Sequence, residues 1–191
     1  MSDQPYTPSL FDLPDEPTKP TKPQAPASQP PQPTPAEPLT RDGAALLSAR
    51  VYALVKACPS GRVTTYGWIG AALGYPRGAR MIGWIMNEAH EGGIPAQRVV
   101  SAKGELTGSW AFGQRGRMRQ LLEAEGVPFD AADHIDMKRY GWNPGRDLAA
   151  DELQRILDGA DPASLAVSDH LLALLLDDPA SPFRIAPSTE V

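Results

Sequence analysis

Cysteine occurs once in the 191 residues, at Cys58, so no intramolecular disulfide can form and no cysteine-based zinc cluster can be assembled. Histidine is almost as rare. His90, His134 and His170 are scattered along the chain, and neither a metal site nor a cofactor is expected. No apolar run is long enough to span a bilayer, and the N-terminus has neither the basic nor the apolar block of a signal peptide. These absences lead to the expectation of a soluble cytoplasmic protein with no membrane partner.

Proline, by contrast, is abundant at one end: 12 of the first 40 residues are proline, interleaved with Gln, Thr, Ser and Ala. Such a segment has too little apolar surface to offset its ordering entropy, so residues 1–40 read as a disordered arm. One apolar island, Ser9–Pro14 (SLFDLP), interrupts it and reads either as a docking segment or as a chance cluster. Charge is also unevenly divided. Residues 41–146 carry fourteen Lys/Arg against nine Asp/Glu, a net of +5, while the arm carries −3 and residues 147–191 carry −7. A basic centre between acidic flanks suits a polyanionic partner, although an ordinary solvated surface could carry the same modest excess.

The centre reads as mainly α with a small β-hairpin. Asp42 can cap a helix over Gly43–Cys58 whose inner face is Leu47, Val51, Leu54, Val55 and Cys58. Cys58, on that stripe and just before a proline, reads as a small core residue rather than a reactive thiol. The step Val63-Thr64-Thr65 leads to a short helix, Trp68–Leu73, that either threonine could cap and that stops at Gly74. A second helix follows over residues 77–89, with Pro76 at its first turn and Ala79, Ile82, Gly83 and Met86 on one face. Two short helices about a glycine turn read as a helix-turn-helix of winged-helix-like type. Arg77 and Arg80 share a face at the positive N-terminal end of the second helix, as a phosphate or base-edge partner would require; Arg77 reads equally as a solvated surface residue. The stiff turn Gly92–Ser101 (GGIPAQRVVS) then leads into a strand over Arg98–Ser101, with a hairpin turned at Lys103-Gly104. A last central helix buries Met118, Leu121 and Leu122, has Gly126 past its end, and carries Arg115, Arg117 and Arg119. Residues 147–191 form an acidic helical extension with two helices. Leu171, Leu172, Leu174, Leu175 and Leu176 of the second must cover this domain or a partner, folding back being the commoner outcome.

Three blocks, in order and at their distances, carry a family resemblance: residues 51–86 (VYALVKACPSGRVTTYGWIGAALGYPRGARMIGWIM), 94–108 (IPAQRVVSAKGELTG) and 121–126 (LLEAEG). They resemble the DNA-binding domain of the O6-alkylguanine-DNA alkyltransferases over about residues 46–130. That family normally reads Ile-Pro-Cys-His-Arg-Val in the second block, the cysteine accepting the alkyl group. Here Ala96 stands at the cysteine position and Gln97 at the histidine position, while Glu125 keeps the glutamate end of the relay. A methyl side chain cannot attack carbon and an amide takes no proton near neutral pH, so alkyl transfer at this site is excluded by chemistry. The non-catalytic alkyltransferase-like branch lacks the cysteine, and its Ile-Asp-Leu…Tyr-x-Trp-x-Pro tail is similar to residues 134–144 (HIDMKRYGWNP).

The resemblance implies a protein that is not an enzyme: it rotates O6-alkylguanine out of duplex DNA and hands the marked lesion to nucleotide-excision repair proteins. It implies Tyr66 as a wedge at the 3′ phosphate, Arg80 as the residue filling the vacated place, Thr65 and Arg77 at the same DNA surface, and the second helix in the minor groove. From its residues alone, Tyr66 reads rather as a packed aromatic beside a turn, and the second helix as a major-groove reader. The implied base pocket consists of Met86, Pro95, Ala96, Gln97, Arg98, Val99, Leu106, Ser109, Trp110 and Glu125. Glu125 reads from its chemistry as a structural hydrogen-bond acceptor under the turn. Ala96 and Ser109 are small, which predicts a pocket roomy enough for bulky adducts. A nucleoid-associated monomer is expected. A sequence-specific helix-turn-helix regulator, and an enzyme whose displaced nucleophile is Cys58, are the rival readings.

Overall fold

The structure, a computed structural model, describes residues 39–89, 93–114, 116–163, 165–177, 181 and 183. The Ser9–Pro14 island and the rest of the chain up to residue 38 lie outside the described residues. Among the described residues the fold is mainly helical with one small two-stranded sheet.

Helix α1 (Arg41–Ala57) starts earlier than its sequence suggests, because Thr40 rather than Asp42 caps it. The Thr40 hydroxyl accepts the Gly43 amide at 3.1 Å, and Asp42 sits in the first turn, favourably placed at the positive end of the helix. Strand β1 (Thr64–Thr65) follows, and the Thr65 hydroxyl accepts the Trp68 amide at 3.0 Å to cap helix α2 (Tyr66–Ala72). Helix α3 (Ala79–Asn87) starts later than expected: Pro76 and Arg77 belong to the connecting turn, in which the Gly78 amide donates to the Tyr75 carbonyl at 2.8 Å. Its buried face is Met81, Ile82, Ile85 and Met86. The larger Met81 and Ile85 take the core positions expected for Ala79, which is exposed, and Gly83, which is half-buried. Gly70 lets this turn fold back on α2, since a Cβ there would lie 2.9 Å from the Tyr75 carbonyl oxygen.

A 3-10 turn (Ala96–Arg98) feeds strand β2 (Val99–Val100), which pairs with β1 in parallel, Thr64 opposite Val99 and Thr65 opposite Val100. The expected hairpin at Lys103-Gly104 is therefore a correction: among the described residues the turn leads to no returning strand. The Ser101 hydroxyl accepts the Lys103 and Glu105 amides, and the Gly104 carbonyl accepts the Ile135 amide, so the turn is closed locally and tied elsewhere. Gly104 has φ +82°, and a Cβ there would stand 2.4 Å from the Ile135 carbonyl oxygen. A second 3-10 turn (Ser109–Phe112) precedes helix α4 (Arg117–Ala124), which buries Met118 and Leu122 while Leu121 is half-buried; Gly126 follows it at φ +83°.

Two short helices, α5 (Met137–Tyr140) and α6 (Pro144–Asp147), are capped by Asp136 and Asn143. Between them, Gly141 forms a parallel bridge with Val63. Helices α7 (Ala150–Asp158) and α8 (Asp169–Asp177) are the two expected in the extension. The core has two parts divided by the sheet: adjacent residues of β2 point oppositely, Val99 into the larger cluster with α1, α2 and α3, and Val100 into the smaller with Val63, Met118, Leu122 and Val127. Leu171 and Leu175 of α8 join the larger cluster, so the leucine-rich helix folds back onto this chain. Hydrogen bonds from Arg41 to the Val167 carbonyl and Asp169, and from Ser168 to Glu88, anchor its start.

Leu175→Ala is expected to lower stability by about 2–5 kcal/mol, the cost of a cavity at a fully buried leucine. Urea unfolding followed by circular dichroism measures it; a loss below about 0.5 kcal/mol would show that α8 is not part of the core.

Candidate nucleic-acid interface

The turn after Pro95 is held by backbone and by side chains. The Ala96 amide donates to the Ile94 carbonyl at 2.7 Å and the Arg98 amide to the Pro95 carbonyl at 2.9 Å, which makes the turn tight. Its three residues then divide. Ala96 is half-buried with its methyl against the larger core cluster, whereas Gln97 and Arg98 both turn to Glu125. The Gln97 side-chain amide donates to Glu125 Oε1 at 2.7 Å, and Arg98 Nε donates to Oε2 at 2.8 Å. The Gly61 amide donates to the same Oε2 at 3.2 Å, and Arg98 Nη1 reaches the Cys58 carbonyl at 2.7 Å.

Gln97 thus has a definite place: its amide supplies a donor to Glu125 that does not titrate near neutral pH. Burial alone would raise the Glu125 carboxyl. The hydrogen bonds from Arg98, Gln97 and the Gly61 amide, with the Arg98 charge, outweigh burial and hold it below its ordinary range. Cys58 is 1 % exposed, and burial pushes its thiol up to about 12 despite the nearby Arg98, which keeps it protonated and unreactive.

Along the other edge, Tyr66 opens α2 and is half-buried against the larger cluster. Burial raises its phenol, offset in part by a hydrogen bond with Thr107, and a Cβ on Gly108 would stand 2.9 Å from its oxygen. Tyr66 is therefore docked on the 107–108 loop, as its packed-aromatic reading requires. Thr65 is 2 % exposed with its hydroxyl turned to the α2 amides, so its side chain presents no polar atom outward. Arg77 and Arg80 are both exposed at the N-terminal end of α3, and the Arg80 guanidinium lies 5.5 Å from the Trp84 ring centroid.

The residues of the expected base pocket separate into groups. Met86 and Val99 are core residues of the larger cluster, which Ala96 and the half-buried Ile94–Pro95 segment border. Leu106 packs on the smaller cluster. Ser109 is exposed, and Trp110 is 65 % exposed, a surface indole rather than a buried wall. Gln97, Arg98 and Glu125 form one bonded group adjoining Ala96. Sequence reasoning missed the Gly61 amide and the Cys58 carbonyl as members of that group. The signal for the first was Gly61 itself, the glycine of a Pro-Ser-Gly turn at φ +76°; nothing in the sequence signals a backbone carbonyl.

A family model described as the DNA-binding domain of 6-O-methylguanine DNA methyltransferase matches residues 47–127, which include every side chain above. A DNA base-flipping protein of Escherichia coli (strain K12) is 42 % identical over 97 residues, covering 49 % of this chain and 72 % of that protein. Alkyltransferase-like protein 1 of Schizosaccharomyces pombe is 31 % identical over 100 residues, covering 50 % of this chain and 93 % of that protein. The crystal structure of S. pombe Atl1 in complex with damaged DNA containing O6-carboxymethylguanine aligns at 30 % identity with a TM-score of 0.46, covering 51 % of this chain and 95 % of that one.

Because the folded-state pKa of Glu125 lies below its unfolded value, its contribution is fully present above about pH 4.5 and is lost as pH falls through the folded value. Glu125→Gln is expected to cost about 2 kcal/mol at pH 7 and to flatten the stability loss below pH 4.5; parallel acid limbs for both proteins in urea titrations would refute this. Cys58 is expected to resist thiol reagents at pH 8 in the native protein and to react on unfolding.

Proposed function

The chain belongs to the alkyltransferase-like family of DNA base-flipping proteins, and from that premise we propose that it binds O6-alkylguanine in duplex DNA without taking the alkyl group. Ala96 carries this reading. It stands where the family's transferases present their cysteine, and the turn around it is held by Glu125, Gln97 and Arg98. A methyl group there cannot form a bond to an alkyl carbon, and the single thiol of the chain is buried and protonated. The lesion is rotated from the stack and held against Ala96, with Trp110 and Ser109 at the pocket's outer edge. The exposed indole supplies a face on which a base can stack.

Helices α2 and α3 act as a helix-turn-helix. Arg80 enters the duplex, Arg77 contacts phosphate, and Tyr66 crowds the 3′ phosphate from the start of α2. Packed against the larger cluster and the 107–108 loop, Tyr66 is a rigid wedge. With no turnover, the output is a stable, distorted lesion that nucleotide-excision repair proteins can take up, the protein acting as a monomer on the chromosome.

Competition binding of duplexes carrying guanine, O6-methylguanine or O6-benzylguanine tests the reading. Both adducts are expected to bind at least tenfold tighter than guanine, with intact protein mass unchanged after incubation. Equal affinity for all three would favour a sequence-specific regulator, and a methyl mass gain would restore an enzyme. Arg80→Ala is expected to lose roughly 1–3 kcal/mol of lesion binding with the fold unchanged; full affinity in that variant removes its role in the duplex.

A further inference from the structure

Arg62 and Arg139 lie far apart in sequence, yet the fold brings them together. The Val63 amide donates to the Tyr140 carbonyl at 2.9 Å and the Trp142 amide to the Val63 carbonyl at 2.7 Å, so the two segments run side by side. Arg62 Nη1 then donates to the Arg139 carbonyl at 3.0 Å. Arg62, Lys138 and Arg139 are all exposed or half-exposed, and among the described residues none of the three is in an ion pair. The Arg139 guanidinium lies 5.4 Å from the Tyr140 ring centroid.

The carboxylates near this cluster are engaged elsewhere. Asp136 accepts the Lys138 and Arg139 amides as the cap of α5. Asp147 lies within the field of Arg62, but its oxygens are taken by Arg146 and the Asn143 amide. Glu125, which accepts the amide of the neighbouring Gly61, is bonded also to Arg98 and Gln97. Three like charges gathered without a counter-ion of their own fit a polyanion rather than a stabilising network.

The cluster also adjoins the α2–α3 face. Three residues, Val63, Thr64 and Thr65, separate Arg62 from Tyr66, and the four extended steps span about 13 Å at 3.3 Å per residue. On its other side, Gly141 abuts Trp68 in the first turn of α2, where a Cβ would come 2.9 Å from the indole. We propose that Arg62, Lys138 and Arg139 form a second phosphate-binding patch, which engages the DNA backbone beside the α2–α3 face. It rests on the DNA-binding reading above and lengthens the contact from the start of α2.

The test compares the full chain with Arg62→Gln/Lys138→Gln/Arg139→Gln in binding a short duplex containing O6-methylguanine between 50 and 200 mM salt. Each phosphate that is no longer neutralised should reduce the slope of log affinity against log salt by about 0.9, so the triple variant should fall by about two to three. The preference for lesion over undamaged duplex should stay the same, because phosphate contacts carry no base information. Lys138→Gln removes one charge and no hydrogen bond of the fold, and should reduce the slope by about one even if the triple variant is unstable. Equal slopes in variants that all bind DNA would overturn the patch alone and leave an acidic protein as its partner. A wild type that binds no duplex at any salt would overturn the DNA-binding reading and the patch with it.

Discussion

Glu125 closes α4 and receives hydrogen bonds from Gln97, Arg98 and the Gly61 amide, and the conformation of the turn around Ala96 depends on them. A half-buried carboxylate is costly unless its charge is matched. Here the charge-assisted bond from Arg98 and two further donors outweigh the desolvation, which is why the carboxyl stays ionised. The same guanidinium ties the turn to the end of α1 through the Cys58 carbonyl. Three parts of the chain therefore meet on one side chain, and their meeting decides where Ala96 stands.

This arrangement also shows how a carboxylate can be held at a turn by a side chain that does not titrate near neutral pH. An imidazole in such a place can both donate to a carboxylate and exchange a proton; the Gln97 amide keeps the first property and lacks the second. Ala96 likewise keeps a side chain small enough for the turn while offering no lone pair. Geometry and reactivity are separable here because the turn is held by hydrogen bonds that need donors, not by groups that need to titrate.

The acidic C-terminal region has a structural part in the same domain. Leu171 and Leu175 fill the cluster shared with α1 and α3, and Ser168 bonds to Glu88 just beyond the end of α3. Helix α3 is nine residues long and has no side-chain cap at its N-terminus, so little of its stability is intrinsic. Packing against α2 and α8 supplies the rest, and leaves the end that carries Arg80 exposed.

Helices with strong local signals were legible in the sequence. The apolar stripe of α1, the threonine cap of α2 and the glycine after α4 all follow from periodicity and capping, which act over a few residues. The hairpin expected at Lys103-Gly104 was misread because Gly104 answers to Ile135, thirty-one positions on, and not to a neighbouring strand. Of the candidate site, the identities at 96, 97 and 125 were readable, together with the chemistry that they forbid. Their connection was not, since Gln97 lies 28 residues from Glu125 and Gly61 lies 64. By itself the sequence determined which reactions residue 96 can undergo, because reactivity resides in the atoms of the side chain. Only the tertiary structure decided that Gln97 and Arg98 share one carboxylate, that β1 and β2 run parallel, and that Thr65 is a buried cap, because those outcomes depend on which distant groups packing brings within bonding distance.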